Sequence, residues 1–468
     1  MNFEPIRWNG PGPADGLPQA GWRWLTQALE MPALLATPAR PLRDIALPPP
    51  RLTDAARDRF IALLGAQQVC CDPATRLAHG GDGIIAVLRK RMGELQQLPD
   101  AVLCPRTADD VPTLLAACAE LGVTIGGGDA RPGVALDLSR LTRITLDAVS
   151  GLAEVEAGIG AAELARQLAA GGMALETPDF TELGGFIIAH RGLPWLAGVQ
   201  AATPQGMTAA LGDLLAGSRG AFGIITSATL RVHALAATPQ PCRYLFADFA
   251  AGLAAIREAV KSGIGICGLR LSDAGATQFA RGLARAGQGF DLMRRLRDIY
   301  LEVRRFDSRA CHLSITFADA AGRKRFDVLV RRLGAMALGA QAIAADFAPL
   351  LERGVNADTL QASVSWSRLP ALYAATRHAL DQAMRAHAPL PGAHGLVLAQ
   401  VSGARADGAD ITFTCIYPRK LDDALAQAQA IHQAGLDCVS PPPDAPSRLA
   451  MRATKQALDP ENILGPLL

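Results

Sequence analysis

Apolar residues along this chain alternate between strand-like runs and helix-like spacing. The stretch AVLCPRTADDVPTLLAACAELGVTI, residues 101–125, predicts a strand, a helix and a second strand. We expect Thr107 to cap the helix, Asp110 to favour its positively charged N-terminal end, and Gly122 to end it. Four apolar residues at helical spacing predict its buried face: Val111, Leu114, Leu115 and Cys118.

A second alternation follows directly. Residues 151–158 (GLAEVEAG) predict a strand, and residues 160–172 predict a helix closed by glycines. Residues 220–232 are rich in β-branched side chains, which predicts a buried strand. This α/β region therefore ends near Val232, and residues 233–241 (HALAATPQP) are expected to be a linker.

The rest of the chain predicts a second domain of antiparallel strands interleaved with helices, which is an α+β pattern. Strands are predicted at 242–249, 265–273, 311–319, 395–403 and 410–418, and helices at 250–263, 322–336 and 421–435. The tail predicts a final helix that stops at Pro460.

The N-terminal region has a different character. Its first fifty residues are rich in proline and tryptophan and predict an extended arm, followed by a helix from Asp54 with Thr53 as its N-cap and Gly65 as its stop. The expected organisation is an N-terminal arm with helices (1–97), an α/β domain (98–234), an α+β domain (235–440) and a C-terminal helix (441–468).

Composition excludes several classes of protein. Half of the 468 residues are hydrophobic and the net charge is +2, so the chain is expected to fold into large cores and to bind no nucleic acid. The nine cysteines form no CxxC pair and no metal-ligand spacing, which predicts a reduced, cytoplasmic protein without a metal site. The start has no signal-peptide pattern, and the longest uncharged apolar run, Leu333 to Ala345, is too short to span a bilayer.

Three consecutive glycines, Gly126 to Gly128, follow the strand VTI. Consecutive glycine amides can form a nest around a phosphate because no Cβ blocks its approach. Only residues 129–133 (DARPG) separate these glycines from the next strand, VALDL. The spacing predicts the turn of a phosphate loop with little chain left to wrap an anion.

Several segments, in order, resemble the FAD-linked oxidases with a PCMH-type (vanillyl-alcohol-oxidase-type) FAD-binding domain, and within them the alkylglycerone-phosphate synthase branch. They are PDAVLCPRTADDVPTLLAACAELGV, VALDLSRLTRI, EVEAGIGAAELARQLAAGGMAL, LGGFIIA, GSRGAFGIITSATLRV and LDPENILGPLL. The resemblance implies an α+β fold: a PCMH-type FAD-binding domain of two α/β subdomains, an α+β cap domain that holds substrate, and a C-terminal helix that returns to the FAD-binding domain.

The resemblance also implies FAD as the cofactor. Arg131 in the shortened loop is a candidate phosphate partner, and Arg270 in the cap is expected to bind a substrate phosphate through its guanidinium. A structural alternative for Arg270 is an ion pair with a carboxylate such as Asp273. The residues expected at the flavin are Gly126, Gly127, Gly128, Arg131, Gly184, Gly185, Gly217, Ser218, Gly223 and Ile225.

The cofactor side departs from the family pattern in three places. Asp129 stands where the family has threonine, and the serine and later glycine of the loop are missing. The segment after Gly185 lacks the family's Ser-Gly turn and its tyrosine, and contains His190, which is either a loop histidine or a flavin attachment point. Arg219 replaces the family's glutamate.

The catalytic side departs as well. The family's Ser-His step is Ser402-Gly403 here, with no tyrosine before Phe413. The region expected to contain histidines, CVSPPPDAPSR (438–448), has none. No catalytic residue is assigned from the sequence, because acid–base work needs a group of suitable pKa within reach.

Three hypotheses follow. In the preferred one, the chain is a paralogue with lost or weakened flavin binding, a pseudoenzyme that acts as a subunit or as a binding protein for a small molecule or lipid precursor. Its partner would be a second copy or a full-length flavoenzyme homologue. In the second, it is an active FAD-dependent oxidoreductase or transferase in which Arg131 and Arg219 take over phosphate contacts. The third, an active alkylglycerone-phosphate synthase, conflicts with the missing histidines and tyrosine.

Overall fold

Buried apolar side chains form two large cores, one in each half of the chain. The first draws on residues between Phe60 and Val232 and also takes in Ile463 and Leu464 from the tail. The second draws on residues between Tyr244 and Ile431. The computed structural model describes residues 17–40, 44–81, 83–95, 98–126, 131–175, 180–190, 193, 195–208, 212–218, 220–236, 238–286, 306–338, 348–440 and 444–465.

The N-terminal region is more helical than its composition predicts. The expected extended arm contains a helix, in which Trp24 packs edge-on against Phe279 of the second half with ring centroids 5.5 Å apart. The helix predicted from Asp54 is confirmed: the Thr53 hydroxyl accepts from the Ala56 amide, and Gly65 follows its last residue. The helices are α1 (Gln19–Ala28), α2 (Asp54–Leu64), α3 (Pro73–Ala78) and α4 (Gly83–Met92), with a 3-10 turn at Ala66–Gln68.

A small mostly parallel sheet begins the first half. Its strand order is β1-β2-β4-β3, with β2, β4 and β3 parallel and β1 antiparallel to β2. The elements are β1 (Val69–Cys70), β2 (Ala101–Leu103), α5 (Asp110–Leu121), β3 (Thr124–Ile125) and β4 (Gly133–Leu136).

Helix α5 has the predicted buried face but a different N-terminal cap. All four residues expected on that face are buried, and Gly122 ends the helix in the left-handed conformation with φ of +65°. The predicted Thr107 cap is wrong. The Asp110 carboxylate instead accepts from the Arg106 and Thr107 amides, at 2.8 and 2.9 Å.

An antiparallel sheet of five strands completes the first half, in the order β5-β6-β10-β8-β9. The strand predicted in 220–232 lies at its centre and is buried between β6 and β8. The elements are β5 (Ile144–Asp147), β6 (Leu152–Glu156), α6 (Ala161–Ala170), β7 (Met173–Ala174), α7 (Leu183–Ala189), β8 (Leu196–Thr203), β9 (Gly206–Thr208), α8 (Gly212–Leu215), β10 (Ile224–Arg231) and β11 (His233–Ala234), which pairs with β7.

The second half is built on one antiparallel sheet of seven strands, ordered β15-β12-β14-β13-β17-β18-β16. The strands are β12 (Gln240–Phe246), β13 (Ile266–Ser272), β14 (Cys311–Phe317), β15 (Met336–Leu338), β16 (Val355–Ser365), β17 (Leu396–Ser402) and β18 (Gly408–Pro418). The helices are α9 (Phe249–Lys261), α10 (Ala274–Ala286), α11 (Ala320–Arg332), α12 (Ala348–Leu351), α13 (Leu369–Ala386) and α14 (Ala424–Val439); α15 (Ala445–Leu458) forms the tail.

Helices and extended antiparallel sheets in one chain confirm the predicted α+β class. Every strand and helix predicted for the second half is present within a few residues, and the structure adds β15, β16, α10, α12 and α13. Among the described helices, none is both long and apolar enough to cross a membrane.

Candidate functional site

Three loops leave the parallel strands of the small sheet at the same edge. Cys104 follows β2, Gly126 follows β3 and Asp137 follows β4. Ligands of α/β proteins characteristically bind outside the carboxyl ends of parallel strands. The structure therefore puts the glycine run singled out in the sequence at an edge suited to a ligand.

The backbone conformation of Gly126 is fixed by contacts within the chain. Its φ of +102° is in the region that favours glycine, and its amide donates to Val134 O at 2.7 Å. A Cβ on Gly133 would overlap Gly126 O, so the two ends of the loop pass closely enough to require glycine. Gly127 and Gly128 lie outside the described residues, as does Asp129.

Arg131 binds the C-terminal tail. Its guanidinium donates to Glu461 O at 3.1 Å and to Asn462 O at 2.5 Å. Beside these contacts the Ile125 amide of β3 donates to Ile463 O at 2.6 Å. The tail therefore lies along the strand that carries the glycine run, and Arg131 holds it there.

His79 and Asp137 form a charged pair at this edge. His79 Nε2 lies 3.5 Å from Asp137 Oδ2, while His79 Nδ1 contacts Thr75 O at 2.9 Å. The hydrogen bond to Asp137 raises the pKa of His79, with a smaller contribution from Glu182, and the pKa of Asp137 is lowered by the same contact.

Stability should therefore depend on pH through His79. A raised histidine pKa contributes stability that is fully present below the unfolded value and is lost as pH rises through the folded value. We expect His79→Gln to cost about 1 kcal/mol at about pH 5.5 and much less at about pH 9. Urea unfolding of both proteins at these pH values measures the difference.

Asp137→Asn is the matched control, because it keeps His79 and removes the carboxylate. It should bring the pKa of His79 back towards its ordinary value in an NMR titration. A cost of His79→Gln that stays the same across the pH range would contradict the assignment.

Helix α7 contains two of the other glycines expected at the flavin. Gly184 fits tightly, because a Cβ there would come within 2.9 Å of the Ala157 side chain. Gly185 has the opposite environment: a Cβ there would meet no atom within 4 Å. The Leu183 and Gly184 amides donate to Ile159 O and Ala157 O at 2.9 and 2.8 Å, so both amides form hydrogen bonds within the chain.

The segment 217–225 packs around the same helix. The Gly217 amide donates to Ile187 O at 3.1 Å, and the Ser218 hydroxyl accepts from the Gly220 amide at 3.3 Å. A Cβ on Gly223 would lie 2.9 Å from Ala202 O, and Ile225 is buried in β10. Each of these four residues is explained by packing or backbone contacts within the chain. Arg219 lies outside the described residues.

Sequence reasoning missed an aromatic stack that starts from α7. Phe186 stacks on His190 with ring centroids 4.2 Å apart, and its centroid lies 6.2 Å from that of Trp195 and 5.3 Å from that of Phe180. His190 Nδ1 contacts Phe186 O at 2.8 Å. Burial lowers the pKa of His190, so the imidazole is neutral at physiological pH; the carboxylate of Asp410, across in the second half, partly opposes this shift.

On the seven-stranded sheet, Arg270 belongs to a polar row. Ser314 is directly opposite Arg243 on one side and Arg270 on the other, so the three residues cross three neighbouring strands on one face. Arg243 Nε donates to His312 Nε2 at 2.9 Å, and burial lowers the pKa of His312 to about 3. The row presents guanidinium and hydroxyl donors, which suit an anionic ligand.

Among the ion pairs of the described residues, Asp273 pairs with Arg377, and an ion pair of Arg270 with another carboxylate stays a prediction. Asp273 is fully buried and accepts from Arg377 and from the Tyr373 hydroxyl, at 2.5 and 3.0 Å. Its carboxylate also accepts from the Ala276 and Ala399 amides, so it caps α10 and joins it to α13.

At the Ser402-Gly403 step, the space for a side chain is taken by a carboxylate. Gly403 has φ of +53°, and a Cβ there would overlap Asp410 Oδ2. Asp410 is buried, accepts from the Ser363 hydroxyl, and accepts from Arg405 at 2.9 Å. The Ser402-Gly403 step is therefore packed against a buried ionic cluster.

Comparison with known proteins identifies two domain families along the chain. A model of the FAD binding domain matches residues 99–207, and a model of the C-terminal domain of FAD linked oxidases matches residues 242–431.

Two relatives are alkyldihydroxyacetonephosphate synthases. That of Trypanosoma brucei brucei is 26% identical over 277 residues, covering 50% of this chain and 45% of the relative. That of Dictyostelium discoideum is 25% identical over 285 residues, covering 52% and 47%. The chain thus spans about half the length of the curated relatives it matches.

Solved structures show the same fold over most of the chain. An alkyldihydroxyacetonephosphate synthase superimposes with a TM-score of 0.74 at 20% identity, covering 95% of this chain and 92% of that one. A p-cresol methylhydroxylase with bound substrate gives 0.60 at 12% identity, covering 90% and 98%. The predicted resemblance to PCMH-type FAD oxidases is confirmed at the level of family and fold.

Proposed function

Because this chain carries both domains of the FAD-linked oxidases, we propose that it is a member in which flavin binding is lost or greatly weakened. It would work as a subunit or as a binding protein. The observation that carries the proposal is the use of Arg131, the candidate replacement phosphate partner, to hold the carbonyls of Glu461 and Asn462.

The loop itself supports this proposal. Strands β3 and β4 are joined by residues 126–132 alone, and the amide of the first already donates to Val134 O. The remaining stretch includes Asp129, whose carboxylate would repel a pyrophosphate. If each lost charge-assisted bond is worth about 1.5–3 kcal/mol, three lost bonds weaken binding by about three to six orders of magnitude.

The catalytic side supports a binding role over a chemical one. Where the family has a histidine, Gly403 leaves no space for a side chain because of Asp410. The row of Arg243, Ser314 and Arg270 on the seven-stranded sheet suits an anionic small molecule or lipid precursor. The chain would therefore recognise a ligand of the family without transforming it.

A second candidate function is an active FAD-dependent oxidoreductase or transferase with a rearranged flavin site and an altered substrate. The open face of Gly185 favours it, because a glycine with no neighbour within 4 Å allows close approach of a ligand. The neutral His190 in the same segment would then be the group to examine for proton transfer.

The visible absorption spectrum of the purified full chain separates the two functions. We expect no flavin bands as isolated, and none retained after loading with excess FAD and desalting. Titration calorimetry with FAD should show binding at least about a thousandfold weaker than that of an alkyldihydroxyacetonephosphate synthase prepared in parallel.

The Arg131→Gln variant is an informative control. If Arg131 only holds the tail, its loss should lower stability and leave the already weak FAD affinity unchanged. Retention of about one FAD per chain by the natural protein would overturn the proposal and favour the second function. A selective loss of that FAD in Arg131→Gln would then identify Arg131 as a phosphate ligand.

A further inference from the structure

Two helices of the second half, α9 and α11, lie side by side on the outer surface of the seven-stranded sheet. Their buried sides, which include Ile256, Ala259, Phe326 and Val330, pack into the second core. Their solvent side is strongly basic. We call it the basic face, and it consists of Arg257, Lys261, Lys324, Arg325, Arg331 and Arg332, all exposed.

The basic face has an apolar line through it. Lys324, Val328 and Arg332 are four residues apart and therefore lie in one row along α11. Val328 is 50% exposed, and Leu333, just past the end of the helix, is 37% exposed. Arg325 donates to Ser262 O at the end of α9, which joins the two helices into one surface.

Few carboxylates neutralise this face. Asp327 accepts from the Tyr244 hydroxyl at 2.7 Å and lies 3.8 Å from Arg323, which is itself outside the basic face. Glu258 is the other acid on the solvent side of the two helices. Within the part of the chain that the structure describes, no carboxylate pairs with the remaining cations: Arg257, Lys261, Lys324 and Arg332.

The chemistry of the face distinguishes between partners. Single-stranded nucleic acids bind by stacking bases on aromatic side chains, and the exposed residues of α9 and α11 include none. Clustered Lys and Arg around exposed aliphatic residues are typical of surfaces that lie against anionic lipid headgroups. We propose that the basic face docks this protein peripherally on an anionic lipid surface, with Val328 and Leu333 entering the headgroup region.

The test uses the full chain and sedimentation with vesicles. Phosphatidylcholine vesicles with about one third phosphatidylglycerol should bind the protein at about 50 mM salt, and binding should fall at about 300 mM. Pure phosphatidylcholine vesicles should bind it weakly. Since each cation near an anionic surface contributes about fivefold, the variant Lys324→Gln/Arg331→Gln/Arg332→Gln should bind about 100-fold more weakly.

A charge-matched control removes three exposed arginines elsewhere. Arg23→Gln/Arg106→Gln/Arg452→Gln should change vesicle binding by less than about threefold, because these residues lie outside the basic face. Circular dichroism and thermal unfolding check that both triple variants stay folded.

Equal binding to anionic and neutral vesicles would overturn the proposal, and so would equal binding by the two triple variants. Binding of the natural protein to polyglutamate, with no binding to anionic vesicles, would also overturn it and would indicate an acidic protein as the partner.

Discussion

Replacing Asp459 with alanine is expected to lower the free energy of unfolding by about 3–5 kcal/mol, because it breaks a buried ion pair at one partner. Asp459 is fully buried at the end of α15, and its carboxylate accepts from Lys455 Nζ at 2.5 Å. It also accepts from the Ile463 and Leu464 amides, both at 2.9 Å. Without it, Lys455 stays buried without its ion-pair partner and the two amides lose their acceptor.

Loss of the Asp459 carboxylate should also affect the strand that precedes the glycine loop. The backbone turn fixed by Asp459 presents the tail carbonyls that bind Arg131 and Ile125. We therefore expect hydrogen exchange at the Ile125, Ile463 and Leu464 amides to accelerate in Asp459→Ala. Chemical denaturation gives the global effect, and exchange gives the local one.

Asp444→Ala is the matched control. Asp444 is exposed and caps the start of the same helix by accepting from the Ser447 amide at 2.8 Å, so its loss should cost only about 1 kcal/mol. The double variant Lys455→Met/Asp459→Ala removes both charges and should recover part of the loss. A cost below about 1 kcal/mol for Asp459→Ala would show that the tail does not depend on this carboxylate.

Introducing a histidine at position 403 is expected to destabilise the second half by at least about 3 kcal/mol. A left-handed backbone with φ of +53° disfavours any side chain, and Asp410 Oδ2 occupies the position of a Cβ. Moving Asp410 aside would disturb its contacts with Arg405 and Ser363. Denaturant unfolding of Gly403→His measures the cost.

Two further glycine variants separate the backbone penalty from the overlap with Asp410. Gly334→Ala carries the backbone penalty alone, because Gly334 has φ of +69° and a Cβ there meets nothing within 4 Å; about 1–2 kcal/mol is expected. Gly403→Ala combines this penalty with the overlap and should cost more than Gly334→Ala. Equal losses of unfolding free energy in Gly403→Ala and Gly334→Ala would mean that the Asp410 side chain moves aside at little cost. Position 403 would then accept a side chain.

Local sequence patterns predicted an element correctly where its contacts in the fold favour the same conformation. Helix α2 begins after Thr53 and ends before Gly65 as predicted, because a cap and a stop act within one turn. The apolar face of α5 is likewise confirmed. Its cap was mispredicted because the helix starts only at Asp110, whose carboxylate accepts from the preceding Arg106 and Thr107 amides.

Strand β16 was not predicted because its buried side is partly polar. Asn356 and Asp358 are buried there, which resembles a loop sequence. The structure supplies their partners from distant segments: Arg419 Nε donates to Asn356 Oδ1 at 2.9 Å, and His432 Nδ1 contacts Asp358 Oδ2 at 2.7 Å. Contacts over such separations leave no periodic signal in the sequence.

The sequence by itself determined the resemblance to the FAD-linked oxidases, the α+β class and the short loop after Gly126, because ordered motifs and strand and helix periodicity are local properties. Tertiary structure alone decided that Arg131 holds the tail and that Asp273 binds Arg377. It also joined two short helices into the basic face, which neither helix forms alone. These outcomes depend on which side chains meet across the fold, and that is fixed only when the cores pack.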